Sequence, residues 1–224
     1  MAYILNIETA TKNCSVSVAK DGKMLLCKET ATEGYSHAEK LHVFIQEIIL
    51  ELQLSYKDLS AVAVSQGPGS YTGLRIGVSA AKGICFALNI PLIALDTLAL
   101  LAIQAKIDKG IIIPMIDARR MEVYSAVFNS QHQKIRDTKA EIITADSFSQ
   151  VEENIYIVGD CQEKCKTIFT QDNFIFPDGI IYPSSKEMCS LSYEKYKISD
   201  TVDVAYFEPY YLKDFMITSA TNKS

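Results

Sequence analysis

The sequence predicts an α/β protein made of two successive lobes, each with the element order β-β-β-α-β-α-β-α. Three observations predict this class. Asp21-Gly22 lies between two β-type runs and indicates a hairpin. Apolar residues at helical spacing follow, and strand-type and helix-type runs then alternate. The chain has 224 residues, 48% hydrophobic and 22% charged, which suffices for one sizeable domain or two small lobes with a buried core.

The first half, residues 1–106, shows the pattern clearly. Strands are predicted at 4–8, 14–19, 24–30, 59–65 and 91–95, and helices at 36–52, 72–88 and 97–106. Ser36 and Glu39 form a capping-box pattern at the start of the first helix. Asp96 is the expected N-cap of the third helix. This half is therefore predicted to be a complete lobe.

The second half, residues 107–224, repeats the order less cleanly. Strands are predicted at 110–116, 122–128, 135–143 and 155–158, with helices from about 146, at 162–169 and from 184 or 185 to 197. Two lobes of this order are the plan of the actin-like (ASKHA) architecture, whose lobes are ribonuclease-H-like, and the second lobe is degenerate here. Beyond about residue 200 the chain is an aromatic tail, which we expect to pack back over the body.

Composition excludes several classes of protein. A net charge of −5 argues against nucleic-acid binding by this chain alone, because such binding needs lysine and arginine to neutralise phosphates. No apolar run is long enough to span a bilayer, and the first residues lack the pattern of a signal peptide. The six cysteines form no CxxC pair, so we expect reduced core thiols in a cytoplasmic protein.

The glycine-rich segment "GPGSYTGLRIG" at 67–77 follows a predicted strand and begins a predicted helix. It lacks the lysine of a P-loop and is one residue longer than the dinucleotide fingerprint. We interpret it as a tight structural turn, with phosphate binding as the alternative.

The two helices at 36–52 and 72–88 carry more apolar residues than one sheet face requires. Such an excess indicates an interface with another protein, unless the second lobe or the tail covers it. The predicted interface residues are Leu41, Ile45, Ile48, Leu52, Gly73, Ile76, Gly77, Ala80, Ala81 and Ile84.

Two turns resemble the connections that hold Mg²⁺ and phosphates in actin-like kinases, but neither contains glycine. Glu8 and Thr11 in the first, and Arg119 and Arg120 in the second, are weak candidates for nucleotide or phosphate contacts. The arginines either pair with neighbouring acids in an exposed turn or present a basic edge to phosphate. We expect no ATP hydrolysis by this chain alone.

No metal site or catalytic residue is predicted. His37 and His42 are five residues apart, so on one helix they point in different directions and do not form a metal-binding pair. Cys161 and Cys165 lack further ligands nearby. The alternative from a different class is a small ATP-dependent phosphotransferase of the sugar-kinase or actin-like ATPase type, and a third is a metallopeptidase, which would need a bound metal.

Four segments, in their order and spacing, resemble the TsaB (YeaZ-like) family of tRNA threonylcarbamoyladenosine biosynthesis subunits, which are paralogues of TsaD. They are "ILNIETATKNCSVSV" at 4–18, "GPGSYTGLRIG" at 67–77, "IDARRMEVYSAVF" at 116–128 and "EPYYLKD" at 208–214. The resemblance spans residues 4 to about 214. One residue departs from it: the acid of the first strand is commonly Asp in this family and is Glu8 here.

The resemblance implies a non-catalytic scaffold and dimerisation subunit of the complex that makes t6A at adenosine 37 of tRNA. It implies a TsaD-like catalytic subunit and a TsaE-like ATPase as partners, and a homodimer when the chain is alone. ATP, ADP and metal are expected on the partner subunits, and tRNA is expected to be reached only through the complex. The family's contact surface on the first two helices matches the helices with excess apolar residues.

Overall fold

The computed structural model describes residues 1–31 and 37–212, which form two five-stranded mixed sheets. The first sheet contains β1 (Tyr3–Glu8), β2 (Asn13–Lys20), β3 (Lys23–Ala31), β4 (Leu59–Gly67) and β5 (Leu92–Asp96). The second contains β6 (Ile111–Asp117), β7 (Glu122–Asn129), β8 (Lys134–Ile142), β9 (Ile155–Val158) and β10 (Phe174–Ile175).

The two sheets have the same topology. Their strand orders are β3-β2-β1-β4-β5 and β8-β7-β6-β9-β10. In each sheet the first three strands pair antiparallel, and the last two join in parallel through crossover connections. This repetition confirms the predicted α/β class with two tandem ribonuclease-H-like lobes.

Five α-helices accompany the sheets: α1 (His37–Glu51), α2 (Tyr71–Leu88), α3 (Thr97–Ala102), α4 (Gln162–Lys166) and α5 (Ser185–Lys197). The Asp96 carboxylate accepts hydrogen bonds from the first turn of α3, as predicted for its N-cap. The predicted cap at Ser36 lies outside the described residues. Every helix in the described part of the chain is too short or too polar to span a bilayer.

The second lobe is degenerate because it has no helix between β8 and β9. The prediction of a helix from about residue 146 was wrong: residues 145–150 form consecutive turns. Phe148 has a φ of 65°, a left-handed conformation that interrupts a right-handed helix. The short edge strand β10 was not predicted.

The hydrophobic core places helices on both faces of the first sheet. α1 and α2 cover one face, where their apolar residues meet β1, β2 and β4. α5 covers the other face, with Met188 against Ile4 and Ile93. α3 lies between the two sheets, where Leu98 packs in a cluster with Phe128 of the second sheet. The predicted boundary between the two lobes lies between residues 106 and 107. The helix α5 belongs to the second half of the chain by sequence but packs on the first sheet.

Candidate functional site

The glycine-rich turn between β4 and α2 packs against the connection between β1 and β2. The Ser70 amide donates to the Ala10 carbonyl at 2.7 Å. A Cβ atom added at Gly73 would collide with the Thr9 carbonyl oxygen, and one at Gly77 would collide with Thr9 Oγ1. Both glycines are thus needed for close packing within the chain, which supports the structural interpretation of the turn.

This packing corrects the predicted interface. Six of its ten residues are buried within the chain itself: Leu41, Ile45, Ile48, Gly73, Gly77 and Ala81. The helical spacing that singled them out belongs to the faces that α1 and α2 turn towards their own sheet. These residues belong to the core beneath α1 and α2 and are not accessible to another protein.

The outer faces of α1 and α2 border a groove of about 630 Å³ that is open to solvent. Three predicted interface residues, Ile76, Ala80 and Ile84, line it and are partly exposed. Leu52, the tenth, is partly buried against the core. We define the docking surface as the residues that line this groove, namely Ala38, His42, Arg75, Ile76, Ser79, Ala80, Gly83 and Ile84.

Two exposed apolar side chains on α1 and α2 were not among the predicted interface residues. Phe86 is 85% exposed, and Leu50 on α1 is 67% exposed. Phe86 follows Ser79 by seven residues, two helical turns, and so projects from the same face of α2. The signal was available, because an apolar residue on the polar side of an amphipathic helix departs from the usual pattern.

The described part of the C-terminal tail, residues 203–212, packs along α2, as predicted for the tail. The Lys82 ammonium donates to the carbonyls of Ala205 and Phe207 at 3.0 and 2.9 Å. The Tyr210 amide donates to the Gln66 carbonyl at 2.7 Å, and the rings of Tyr211 and Tyr71 lie 5.0 Å apart. The tail therefore covers one flank of α2 and leaves the groove residues Ser79 and Gly83 exposed.

Glu8, at the end of β1, is fully buried and faces the side of the sheet that α5 covers. Its Oε1 accepts a hydrogen bond from the Ala10 amide at 2.5 Å, and its Oε2 has no hydrogen-bond partner among the described residues. Burial raises the pKa of Glu8 from 4.5 to about 7, against the lowering by Ala10 and the nearby Ser65 hydroxyl. The Ser65 oxygen stands close to the carboxyl without meeting hydrogen-bond geometry. A carboxyl with a pKa near 7 is only partly ionised at neutral pH, and an ionised carboxylate is the form that binds Mg²⁺.

The remaining candidates do not converge on one site. Thr11 is buried, and its carbonyl is 2.8 Å from His37 Nε2. Arg119 and Arg120 are exposed in the turn between β6 and β7. Within residues 1–31 and 37–212, no three His, Cys, Asp or Glu side chains form a group that could hold a metal. Burial raises the pKa of the Cys14 thiol to about 11 and that of Cys165 to about 12, so both are protonated at neutral pH.

Comparison with known proteins identifies the family. Residues 31–215 match the model of the family described as TsaD: tRNA N6-adenosine threonylcarbamoyltransferase. The tRNA threonylcarbamoyladenosine biosynthesis protein TsaB of Escherichia coli is 29% identical over 220 residues, covering 94% of both chains. The tRNA N6-adenosine threonylcarbamoyltransferase of Bacillus subtilis is 32% identical over 112 residues, or 43% of this chain and 32% of that one.

Solved structures support the fold. YeaZ from Pseudomonas aeruginosa superposes with a TM-score of 0.82 and 23% identity, covering 95% of this chain and all of that one. The resemblance to the TsaB (YeaZ-like) group is thus confirmed, and the chain belongs to the TsaD family, within which it is similar over nearly its whole length to TsaB proteins.

Proposed function

We propose that this chain is a non-catalytic scaffold subunit of the complex that transfers the threonylcarbamoyl group to tRNA adenosine 37 and that it supports a TsaD-like catalytic subunit. Relatives named as tRNA threonylcarbamoyladenosine biosynthesis proteins align with nearly the full chain, which supports a role in this pathway. The open docking surface between α1 and α2 is the observation that carries the scaffold role.

Gly83 supports close approach by another polypeptide. A glycine inside a helix destabilises it by roughly 1 kcal/mol relative to alanine. The contacts of Gly73 and Gly77 with Thr9 explain those two glycines, but a Cβ at Gly83 would meet no atom within 4 Å. The chain's own described fold therefore has no need of glycine at this exposed position. A partner helix lying on α2 would need it, because its backbone can come closer where there is no side chain.

Phe86 supplies an apolar anchor beside this position. Burying an exposed phenylalanine ring contributes about 1.5–3 kcal/mol, and exposed aromatic residues are frequent hot spots of protein interfaces. Ile76, Ala80 and Ile84 form the adjoining apolar strip, with Arg75 and His42 as polar residues in the groove. This composition, an apolar centre with few charges, is typical of a protein interface.

The first hairpin supports a non-catalytic role. A Mg²⁺-dependent phosphotransferase needs an ionised carboxylate and backbone groups that can approach phosphate. Glu8 is buried with a pKa of about 7, and its Oε1 already accepts from Ala10. We therefore place ATP or ADP and the metal on the partner subunits. A TsaE-like ATPase is the second proposed partner, and two copies of this chain associate through the docking surface when the catalytic subunit is absent.

Co-expression with the TsaD-like protein of the same organism tests this proposal. Ala80→Arg and Gly83→Arg each place a long charged side chain on the docking surface, and Ser190→Arg is the matched control on an exposed position of α5. Gly77 and Ala81 are unsuitable because charges there would disrupt the core. We expect the wild type and the control to co-purify with the partner in a complex detectable by light scattering, and the two docking variants to elute alone. Co-purification of both docking variants at wild-type levels would refute the docking surface.

A further inference from the structure

We infer that Arg119 and Arg120 contact the phosphodiester backbone of tRNA in the assembled complex, an inference that rests on the proposed function. Both arginines lie in the turn between β6 and β7, at the opposite end of β6 from residues 106–109.

The turn places two arginines where the backbone favours glycine or asparagine. Arg119 and Arg120 have φ values of 71° and 55°, both in the left-handed region. The backbone of a residue with a Cβ atom is strained there, and hairpin turns usually place Asn-Gly or Gly-Gly at such positions. Strained residues of this kind occur preferentially at functional sites. The strain is thus consistent with a function that requires both guanidinium groups.

Lys164 of α4 holds the turn from inside. Its ammonium donates to Asp117 Oδ1 at 2.8 Å, to the Arg120 carbonyl at 2.8 Å and to the Glu122 carbonyl at 3.1 Å. The Asp117 carboxylate also accepts from the Arg119 amide at 3.0 Å. This acid is therefore paired with Lys164 and does not need the guanidinium groups. Lys164, and not a guanidinium group, therefore neutralises Asp117.

The guanidinium groups face outwards. Both arginines are exposed, and in the described part of the chain neither of them forms an ion pair. Two adjacent unpaired cations repel each other, and an anion that bridges them relieves this repulsion. Arginine binds phosphate through its planar array of N–H donors, which matches the oxygens of a phosphodiester.

The turn is suited to a nucleic-acid backbone more than to a free nucleotide. Nucleotide phosphates are usually held by free backbone N–H groups of glycine-rich turns. Here the amides of Asp117, Ala118, Arg119 and Glu122 all donate within the protein. Four of the six amides from 117 to 122 are thus already used within the protein. The two cationic side chains stand on an open surface, and such side chains contact the backbone of RNA and DNA. A local contact of this kind is compatible with the net charge of −5, because the complex supplies the rest of the interface.

The test uses the complex of this chain with its TsaD-like partner and an unmodified tRNA transcript. The variant Arg119→Gly with Arg120→Gly removes both charges and keeps a residue that accepts positive φ, so the turn is preserved. Arg119→Lys with Arg120→Lys keeps the charges. Lys106→Gly with Lys109→Gly is the control, since it removes two exposed charges at the other end of β6. Assembly is measured first without RNA, and tRNA affinity is then measured over a series of KCl concentrations.

We expect the glycine variant to assemble normally and to bind tRNA about tenfold more weakly at low salt. The slope of log K against log salt should become less negative by about 1 to 2. The lysine variant should keep the salt slope, and the control should match the wild type. Unchanged tRNA affinity and slope in the glycine variant overturn the inference. A glycine variant that no longer assembles with the partner protein also overturns the inference, because the turn would then bind an acidic protein surface. A wild-type chain that fails to join its partner refutes the proposed function and the inference with it.

Discussion

Replacing Glu8 with glutamine should remove a large part of the pH dependence of this protein's stability. The Glu8 carboxyl has a pKa of about 7 in the folded chain, against 4.5 in its ordinary state. Between these values the folded state holds a proton that the unfolded state has lost. The contribution of Glu8 to the free energy of unfolding is therefore fully present below pH 4.5. It decreases as the pH rises to 7 and is constant above pH 7. At about 1.4 kcal/mol per pH unit, the loss is about 3 kcal/mol.

Glutamine at position 8 keeps the oxygen that accepts from the Ala10 amide and replaces the unpartnered oxygen with an NH₂ group close to Ser65. Urea unfolding of both proteins at several pH values from 4 to 8 measures the difference between their free energies of unfolding. The contributions of other titrating groups cancel in this difference. We expect the wild type to lose about 3 kcal/mol relative to the variant over this range. Parallel curves would refute the assignment of a buried, protonated carboxyl.

Magnesium provides a second outcome in the same assay. A cation held by Glu8 would favour its ionised form and lower its pKa, so millimolar Mg²⁺ would flatten the wild-type curve. We expect no effect of Mg²⁺, because the carboxyl is buried and has no free approach for a hydrated cation. A curve flattened by Mg²⁺ would instead support the phosphotransferase alternative.

Four further predictions concern single features of the fold. Gly77→Ala should destabilise the chain by about 1–3 kcal/mol in urea unfolding, because its Cβ would collide with Thr9 Oγ1; wild-type stability would contradict this packing. Arg120→Gly should stabilise the chain by about 0.5–1 kcal/mol, since a φ of 55° is unstrained for glycine; a lower unfolding temperature would argue against strain. Lys82→Met removes two hydrogen bonds to residues 203–212 and should speed proteolysis of this segment, whereas an unchanged rate would show that other contacts hold it. Titration of the purified chain with ATP and Mg²⁺ should show neither tight binding nor turnover, and either one would support a phosphotransferase.

Local sequence signals were sufficient for most of the fold. The Asp-Gly hairpin, the cap at Asp96 and the alternating apolar runs predicted every strand of the first sheet, because these signals depend on neighbours in sequence. The failed helix near residue 146 follows from the left-handed Phe148, which no propensity indicates. The placement of α5 on the first sheet depends on contacts between distant segments, such as the Ser17 hydroxyl donating to the Ser185 carbonyl at 2.8 Å. Such contacts cannot be read from periodicity.

The interface prediction shows the same limit. The excess of apolar residues on α1 and α2 singled out these helices, but it could not separate the face that meets the sheet from the face that meets solvent. Gly77 and Gly83 look alike in sequence, and only the position of Thr9 distinguishes a glycine required inside from one left open. Phe86 lies outside the regular helical spacing of the predicted interface residues and was therefore not predicted.

We propose that α1 and α2 dock a TsaD-like subunit through their outer faces. Hydrogen–deuterium exchange of this chain, measured alone and with an excess of that subunit, reports on this contact. We expect slower exchange in the peptides that contain residues 38–50 and 75–88, with α5 unaffected. Protection confined to α5 or to the edge strand β8, with both docking helices unchanged, would contradict it.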